Sequence, residues 1–186
     1  MDYFPAFLNF EGKKILIIGG GEVAYRKLNY LLSFTSSLHV IAQEFSPEMQ
    51  TKLEKQQISF EKRSYRDGDV QGYQMVVVAV DNLNVQKAVY ESSRKYNCLC
   101  NAVDSTSYCD FIFPSYIQKG DLLIAISTSS ASPAMAKQIR IFLEKIIPDS
   151  IIPFLEEMKR LRSELPKGKE RMQMLNQKAK KFIETW

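Results

Sequence analysis

The feature that most constrains how this chain folds is a glycine turn set between a strand and a helix. Residues 14–18 (KILII) form a short apolar run rich in β-branched side chains, and Gly19-Gly20-Gly21 follows at once. Beyond it, Ala24, Leu28, Leu31 and Leu32 fall at helical spacing. Residues 38–42 (LHVIA) then read as a second strand. Strand, glycine turn, helix and strand in about 30 residues make a βαβ unit, which commits the chain to a parallel sheet covered by helices.

The pattern continues in kind. Ser46-Pro47-Glu48 reads as a helix start, with Ser as the cap and Pro at the first helical position. Residues 58–62 are a candidate edge strand. Residues 75–80 (MVVVAV) are continuously apolar, as a strand buried on both faces should be. A helix is predicted over 84–96 and another interior strand over 98–103 (CLCNAV). The order β-α-β-α-β-β-α-β predicts a doubly wound α/β sheet.

After that the pattern changes. Runs at 111–117 and 122–127 flank Lys119-Gly120-Asp121, a hairpin signal. Ser132-Pro133 opens a helix to about residue 147, and Pro148-Asp149-Ser150 breaks it. Two amphipathic helices fill the tail. One carries Ile151, Leu155, Met158 and Leu165; the other, after Pro166-Lys167-Gly168, carries Met172, Leu175, Ala179, Phe182 and Trp186. Such stripes need a surface to cover them.

Composition excludes several classes. The net charge is +4, from 25 Lys+Arg against 21 Asp+Glu. Residues 149–186 hold nine basic and six acidic side chains, so the tail carries +3 of it. That excess is too diffuse for a nucleic-acid footprint, but it suits a small polyanionic ligand. No apolar run reaches membrane-spanning length, and the first residues, with Asp2 and Pro5, resemble neither a signal nor a transit peptide. A soluble cytoplasmic protein is the expectation. Cys98, Cys100 and Cys109 form no CxxC pair, and His39 is the only histidine. No transition-metal cage and no Ser/His/Asp triad is expected from that set.

The candidate chemistry begins at Gly19-x-Gly21-x-x-Ala24. Its first glycine allows a tight turn, its second lets a pyrophosphate approach the backbone, and Ala24 permits close helix–strand packing. The acid that such sites aim at a ribose belongs about 20 residues on, where Gln43-Glu44 stands. No Arg or Lys is nearby to receive a 2′-phosphate, so NAD is expected over NADP. Asp81 and Asp104 each follow a strand, at the carboxyl ends where open α/β sheets bind ligands. Asp81, with Asn82, has helix capping as its alternative task. Residues 127–133 (STSSASP) place five hydroxyls before a helix, more than a cap needs and suited to substrate carboxylates.

Residues 1–27 (MDYFPAFLNFEGKKILIIGGGEVAYRK), Asn101–Asp104 (NAVD), 109–117 (CDFIFPSYI) and the 127–133 stretch together resemble one family. It is precorrin-2 dehydrogenase, the dehydrogenase module of siroheme synthase. The match runs in order and spacing to about residue 147; the tail matches only in being helical. The resemblance implies a Rossmann-like NAD-binding domain over 1–113, a small α+β dimerisation segment over 114–147 and a helical C-terminal region over 148–186. It implies an enzyme, a homodimer, that oxidises precorrin-2 to sirohydrochlorin with NAD. It implies a catalytic Asp104, cofactor contacts from Glu22, Val23, Gln43 and Glu44 beside Gly19 and Gly21, and substrate contacts from Asn101, Ser127 and Thr128. The family often has two glycines where this chain has Ser129 and Ser130, which implies a stiffer or differently shaped substrate loop. The length fits a stand-alone form without a methyltransferase domain.

Two other readings compete. A non-catalytic dinucleotide sensor explains the glycine turn but not Asp104 together with the hydroxyl run. A bifunctional enzyme would also insert iron, yet no second His or paired Cys is at hand to deliver the metal.

Overall fold

The computed structural model describes residues 3–186. Its strands and helices follow the predicted order. Five strands form one parallel sheet: β1 (Ile15–Ile18), β2 (Leu38–Ala42), β3 (Ser59–Lys62), β4 (Met75–Val78) and β5 (Leu99–Ala102). They lie in the order β3-β2-β1-β4-β5, with α1 (Glu22–Leu32), α2 (Pro47–Lys55) and α3 (Leu83–Lys95) as crossovers. This is the Rossmann-like α/β arrangement. The strand order reverses beside β1, which pairs with β2 on one edge and β4 on the other. Such a reversal opens a crevice at the carboxyl ends of the strands.

The central strands are buried on both faces, and that explains their unbroken apolar runs. Ile15, Leu16, Ile17, Val76, Val77 and Val78 are fully enclosed, and α1 contributes Ala24, Leu28 and Leu31. Each large aliphatic side chain enclosed in this way contributes about 1.5–3 kcal/mol. Ser46 caps α2 by accepting from Met49 N (3.2 Å), with Pro47 at its first position, as the sequence implied.

One strand differs from its prediction. The segment read as interior, β5, is the edge of the sheet, and Leu99 is 40% exposed. Its apolar look has another cause: the returning chain covers that edge. Asp110 N donates to Cys100 O (2.8 Å), and Cys100 N donates to the Asp110 carboxylate (2.8 Å). Arg94 on α3 clamps the same carboxylate. The edge therefore offers no open ladder for strand addition.

The chain divides into two compact units, residues 3–112 and 113–186. In the second, β6 (Ser115–Lys119) and β7 (Leu122–Ile126) form an antiparallel hairpin. It is followed by α4 (Pro133–Ile146), α5 (Ile151–Glu164) and α6 (Lys169–Ile183). The hairpin starts four residues later than its apolar run, because the residues from 109 to 111 brace β5 instead. Ile117, Ile147 and Ile151 form a small core, with Leu122, Phe154 and Phe182 packed on it. Phe154 of α5 and Phe182 of α6 stack at 4.1 Å between centroids. The tail stripes are thus partly covered within the chain, where the sequence had left them unpartnered.

Candidate functional site

At the crevice the glycine turn does three separate tasks. Gly19 has φ +129°, and a Cβ there would stand 2.3 Å from Ala79 O. A Cβ on Gly20 would stand 2.1 Å from Glu44 O and 2.9 Å from the Phe45 ring. Gly20, given no role from the sequence, is thus the residue that lets the loop after β2 close on the loop after β1. Gly21 faces open space, with nothing within 4 Å of the Cβ position. It is also the N-cap of α1, and no side chain caps that helix. The first N–H groups of an 11-residue helix therefore point out beside an open glycine. These are the features that a pyrophosphate requires, so the residues present fit a dinucleotide.

A cleft of about 370 Å³ lies here, walled by Gly19–Gly21, Gln43, Glu44, Arg63, Ser64, Val80 and Val85. Gln43 and Glu44 are exposed at its rim, and Gln43 Nε2 donates to Ser64 Oγ (2.7 Å). Glu22 and Val23 open α1 just beyond the wall; Glu22 stands 3.9 Å from Arg26 in an exposed pair. Asp81 is exposed past Val80, and it is not the cap of α3. That task belongs to Asn82, whose Oδ1 accepts from Asn84 N (3.0 Å) and Val85 N (3.2 Å).

The sequence expectation that no basic residue adjoins Gln43-Glu44 is overturned in space. The β2–β3 register sets Ala42 beside Lys62, and Arg63 N donates to Ala42 O (2.8 Å). Arg63 therefore joins the same cleft from about 20 positions away in the chain. Its guanidinium donates to Asp69 through two nitrogens (2.6 and 3.0 Å) and to Glu61 through Nε (2.6 Å). Burial pushes the Asp69 carboxyl up, but the hydrogen bonds from Arg63 and Arg66 N outweigh it and hold the group below the usual range.

Asp104 stands on the turn after β5, exposed and with φ 61°. Left-handed backbone is uncommon outside glycine, and Asp tolerates it better than most residues. The turn is pinned from below. The Cys109 thiol lies 3.1 Å from Ala102 O and 3.2 Å from Ser105 O, on either side of Asp104. Asn101 is buried, and its Nδ2 donates to Phe111 O (2.7 Å). Lys27 of α1, absent from the sequence reading, lies within electrostatic reach of Asp104 and Cys109. Burial first and Arg26 second push its ammonium pKa down, while Asp104 and Cys109 push it up. Burial raises the thiols of Cys98 and Cys100 to about 11 and about 12, which leaves both unreactive.

In the second unit, Ser127 Oγ accepts from Ser129 N (3.0 Å) and Thr128 Oγ1 from Ser132 N (3.0 Å). Ser132 caps α4 by accepting from Met135 N (3.2 Å). The helix start is therefore self-capped and not a set of free N–H groups. Each hydroxyl still keeps its own hydrogen to donate. Ser129 and Ser130 have φ 50° and 71°, the region that two glycines would occupy without strain. Among the described residues no cluster of three or more His, Cys, Asp or Glu could hold a metal ion, and no helix is long and apolar enough to cross a membrane.

The model of the family described as "Putative NAD(P)-binding" matches residues 6–115. The chain belongs to that family. The NAD(P)-binding match takes in the glycine turn, the cleft and Asp104, and it ends before Ser127. Among curated relatives, the siroheme synthase of Methylococcus capsulatus is 36% identical over 148 residues, covering 80% of this chain and 31% of that protein. The siroheme synthase of Photorhabdus laumondii is 34% identical over 151 residues, covering 81% and 32%. Siroheme synthase 1 of Serratia proteamaculans aligns over all 186 residues at 30% identity and 38% of its length. The chain thus spans about a third of the length of these relatives. A solved structure of SirC, a precorrin-2 dehydrogenase, superposes with a TM-score of 0.76 at 25% identity, over 94% of this chain and 88% of that one.

Proposed function

We propose that this chain is an NAD-dependent dehydrogenase that oxidises precorrin-2 to sirohydrochlorin on the way to siroheme. The observation that carries the reading is that two features stand at the carboxyl ends of strands of one parallel sheet. One is an open glycine turn with an uncapped helix start; the other is an exposed, left-handed Asp104. The likeness to SirC and to siroheme synthases supports the choice of substrate.

In this reading Gly19, Gly21 and the N–H groups of Glu22 and Val23 hold the pyrophosphate. Gln43 and Glu44 hold the ribose that follows, and Asp81 borders the far side. When bound, the nicotinamide supplies the hydride acceptor. Oxidation of precorrin-2 releases a hydride and a proton, and the Asp104 carboxylate takes or steers the proton. Asn101 acts one step back, bracing the segment that carries Cys109. The Ser127 and Thr128 hydroxyls donate to substrate carboxylates, and the +3 charge of residues 149–186 favours a polyanion.

We also read the protein as a cytoplasmic homodimer. All three thiols are free, which suits a reducing compartment. The exposed apolar residues of α4 supply a self-pairing face. The decisive experiment mixes the protein with NAD and precorrin-2 under anaerobic conditions and follows sirohydrochlorin absorbance. NAD-dependent product formation is the expected result; binding of NAD without any turnover would favour the non-catalytic sensor.

A further inference from the structure

The arginine at the rim of the cleft bears on cofactor choice. An arginine beside the ribose-binding acid normally marks a site for the 2′-phosphate of NADP. Here Arg63 occupies that neighbourhood, on the same wall as Gln43 and Glu44. Its donors are already committed. Nε goes to Glu61, one nitrogen to Asp69 Oδ2 and Ser64 O (3.0 Å), and the other to Asp69 Oδ1. Four of its five N–H groups are therefore taken.

We propose that Asp69 and Glu61 sequester Arg63 and so make the cleft selective for a dinucleotide with a free 2′-hydroxyl. The inference rests on the cofactor reading given above. Arg63 and Arg66 contribute two positive charges, and Asp69, Glu61 and Glu44 contribute three negative ones, a local balance of −1. A 2′-phosphate would bring close to two more negative charges into that field. It would find one remaining N–H where a phosphate clamp needs a fork. A 2′-hydroxyl carries no charge and can donate to Glu44. Asp69 is held independently by Arg66 N (2.7 Å), so the carboxylate cannot swing aside to release the arginine cheaply.

The test compares NAD⁺ and NADP⁺ affinities by calorimetry in four proteins: wild type, Asp69→Asn, Glu61→Gln and Asp69→Asn with Arg63→Gln. In Asp69→Asn the side-chain amide oxygen can still accept from Arg66 N, and Glu61 is half-exposed, so one of the two releasing variants keeps its fold even if the other does not. Wild type should prefer NAD⁺ by about tenfold or more, and each releasing variant should move the affinity ratio toward NADP⁺ by about tenfold. Adding Arg63→Gln should return the ratio to its starting value, which a merely structural ion pair would not do. An unchanged ratio in folded Asp69→Asn and Glu61→Gln overturns the proposal, as does a wild type that takes both cofactors equally. A wild type that binds neither cofactor instead defeats the reading of the cleft itself.

Discussion

In the proposed reaction the proton falls to Asp104. Its left-handed backbone suits Asn as well as Asp, so Asp104→Asn should leave stability nearly unchanged. It should cost about 10²–10⁴-fold in precorrin-2 oxidation, the usual loss when an acid–base group is removed. Turnover near the wild-type rate would dismiss the assigned role. Ser129 and Ser130 offer a second check at this scale. A side chain in left-handed backbone costs about 1–2 kcal/mol, whereas glycine adds about 0.5–1 kcal/mol of chain entropy. Ser129→Gly and Ser130→Gly should therefore each raise stability by about 0.5 kcal/mol in denaturant unfolding. Asp104 and the hydroxyl run were legible in the sequence because each stands next to its own strand or helix. Arg63 was not, since it reaches Gln43 only through the β2–β3 register, and a single sequence does not print strand register. Lys27 was hidden for a related reason: it lies on α1, and only the turn after β5 makes it a neighbour of Asp104.

At the scale of elements, the glycine turn separates folding from binding. Gly20 is packed so tightly against Glu44 O that Ala there must move backbone, a strain of about 1–3 kcal/mol. Gly21 has open space and ordinary extended φ/ψ, so Ala there should fold normally. Its methyl group would stand where a pyrophosphate must approach. Gly21→Ala should weaken NAD binding by about tenfold with little change in melting temperature, and Gly20→Ala should lower the melting temperature. Calorimetric titration beside thermal unfolding checks both, and loss of stability with intact affinity in Gly21→Ala would reverse the assignment. The central strands were readable from their unbroken apolar runs, since burial on both faces removes alternation. The same rule misread β5. Its apolar residues face α3 on one side and the returning 108–110 segment along the edge, and a run of CLCNA does not say which kind of cover it has.

At the scale of the whole molecule, one apolar surface that the fold leaves unexplained is on α4. Met135, Ile139, Phe142 and Ile146 are 55%, 37%, 61% and 46% exposed, and they recur at helical spacing along one face. Ala136 alone is buried on that helix. By contrast α5 and α6 are partly covered by the hairpin core and the Phe154–Phe182 stack, although Met172 and Trp186 of their stripe stay exposed. A continuous exposed apolar stripe of this kind marks a contact site. Two copies related by a twofold axis would cover the stripe with itself, because an isologous interface needs only one self-complementary patch. Permanent homodimers bury about 2,000 Å² or more, so α4 would have to be joined by neighbouring hairpin residues to reach that size. Phe142 is the largest and most exposed member of the stripe, and a charge there would be desolvated in the pair at a cost of several kcal/mol. Light scattering at micromolar concentration should give twice the chain mass of 21.4 kDa for wild type and a single chain mass for Phe142→Glu. Circular dichroism should be alike in the two, since Phe142 contributes little to the fold of its own chain. A wild-type protein that runs as a monomer would show that the α4 face stays in water.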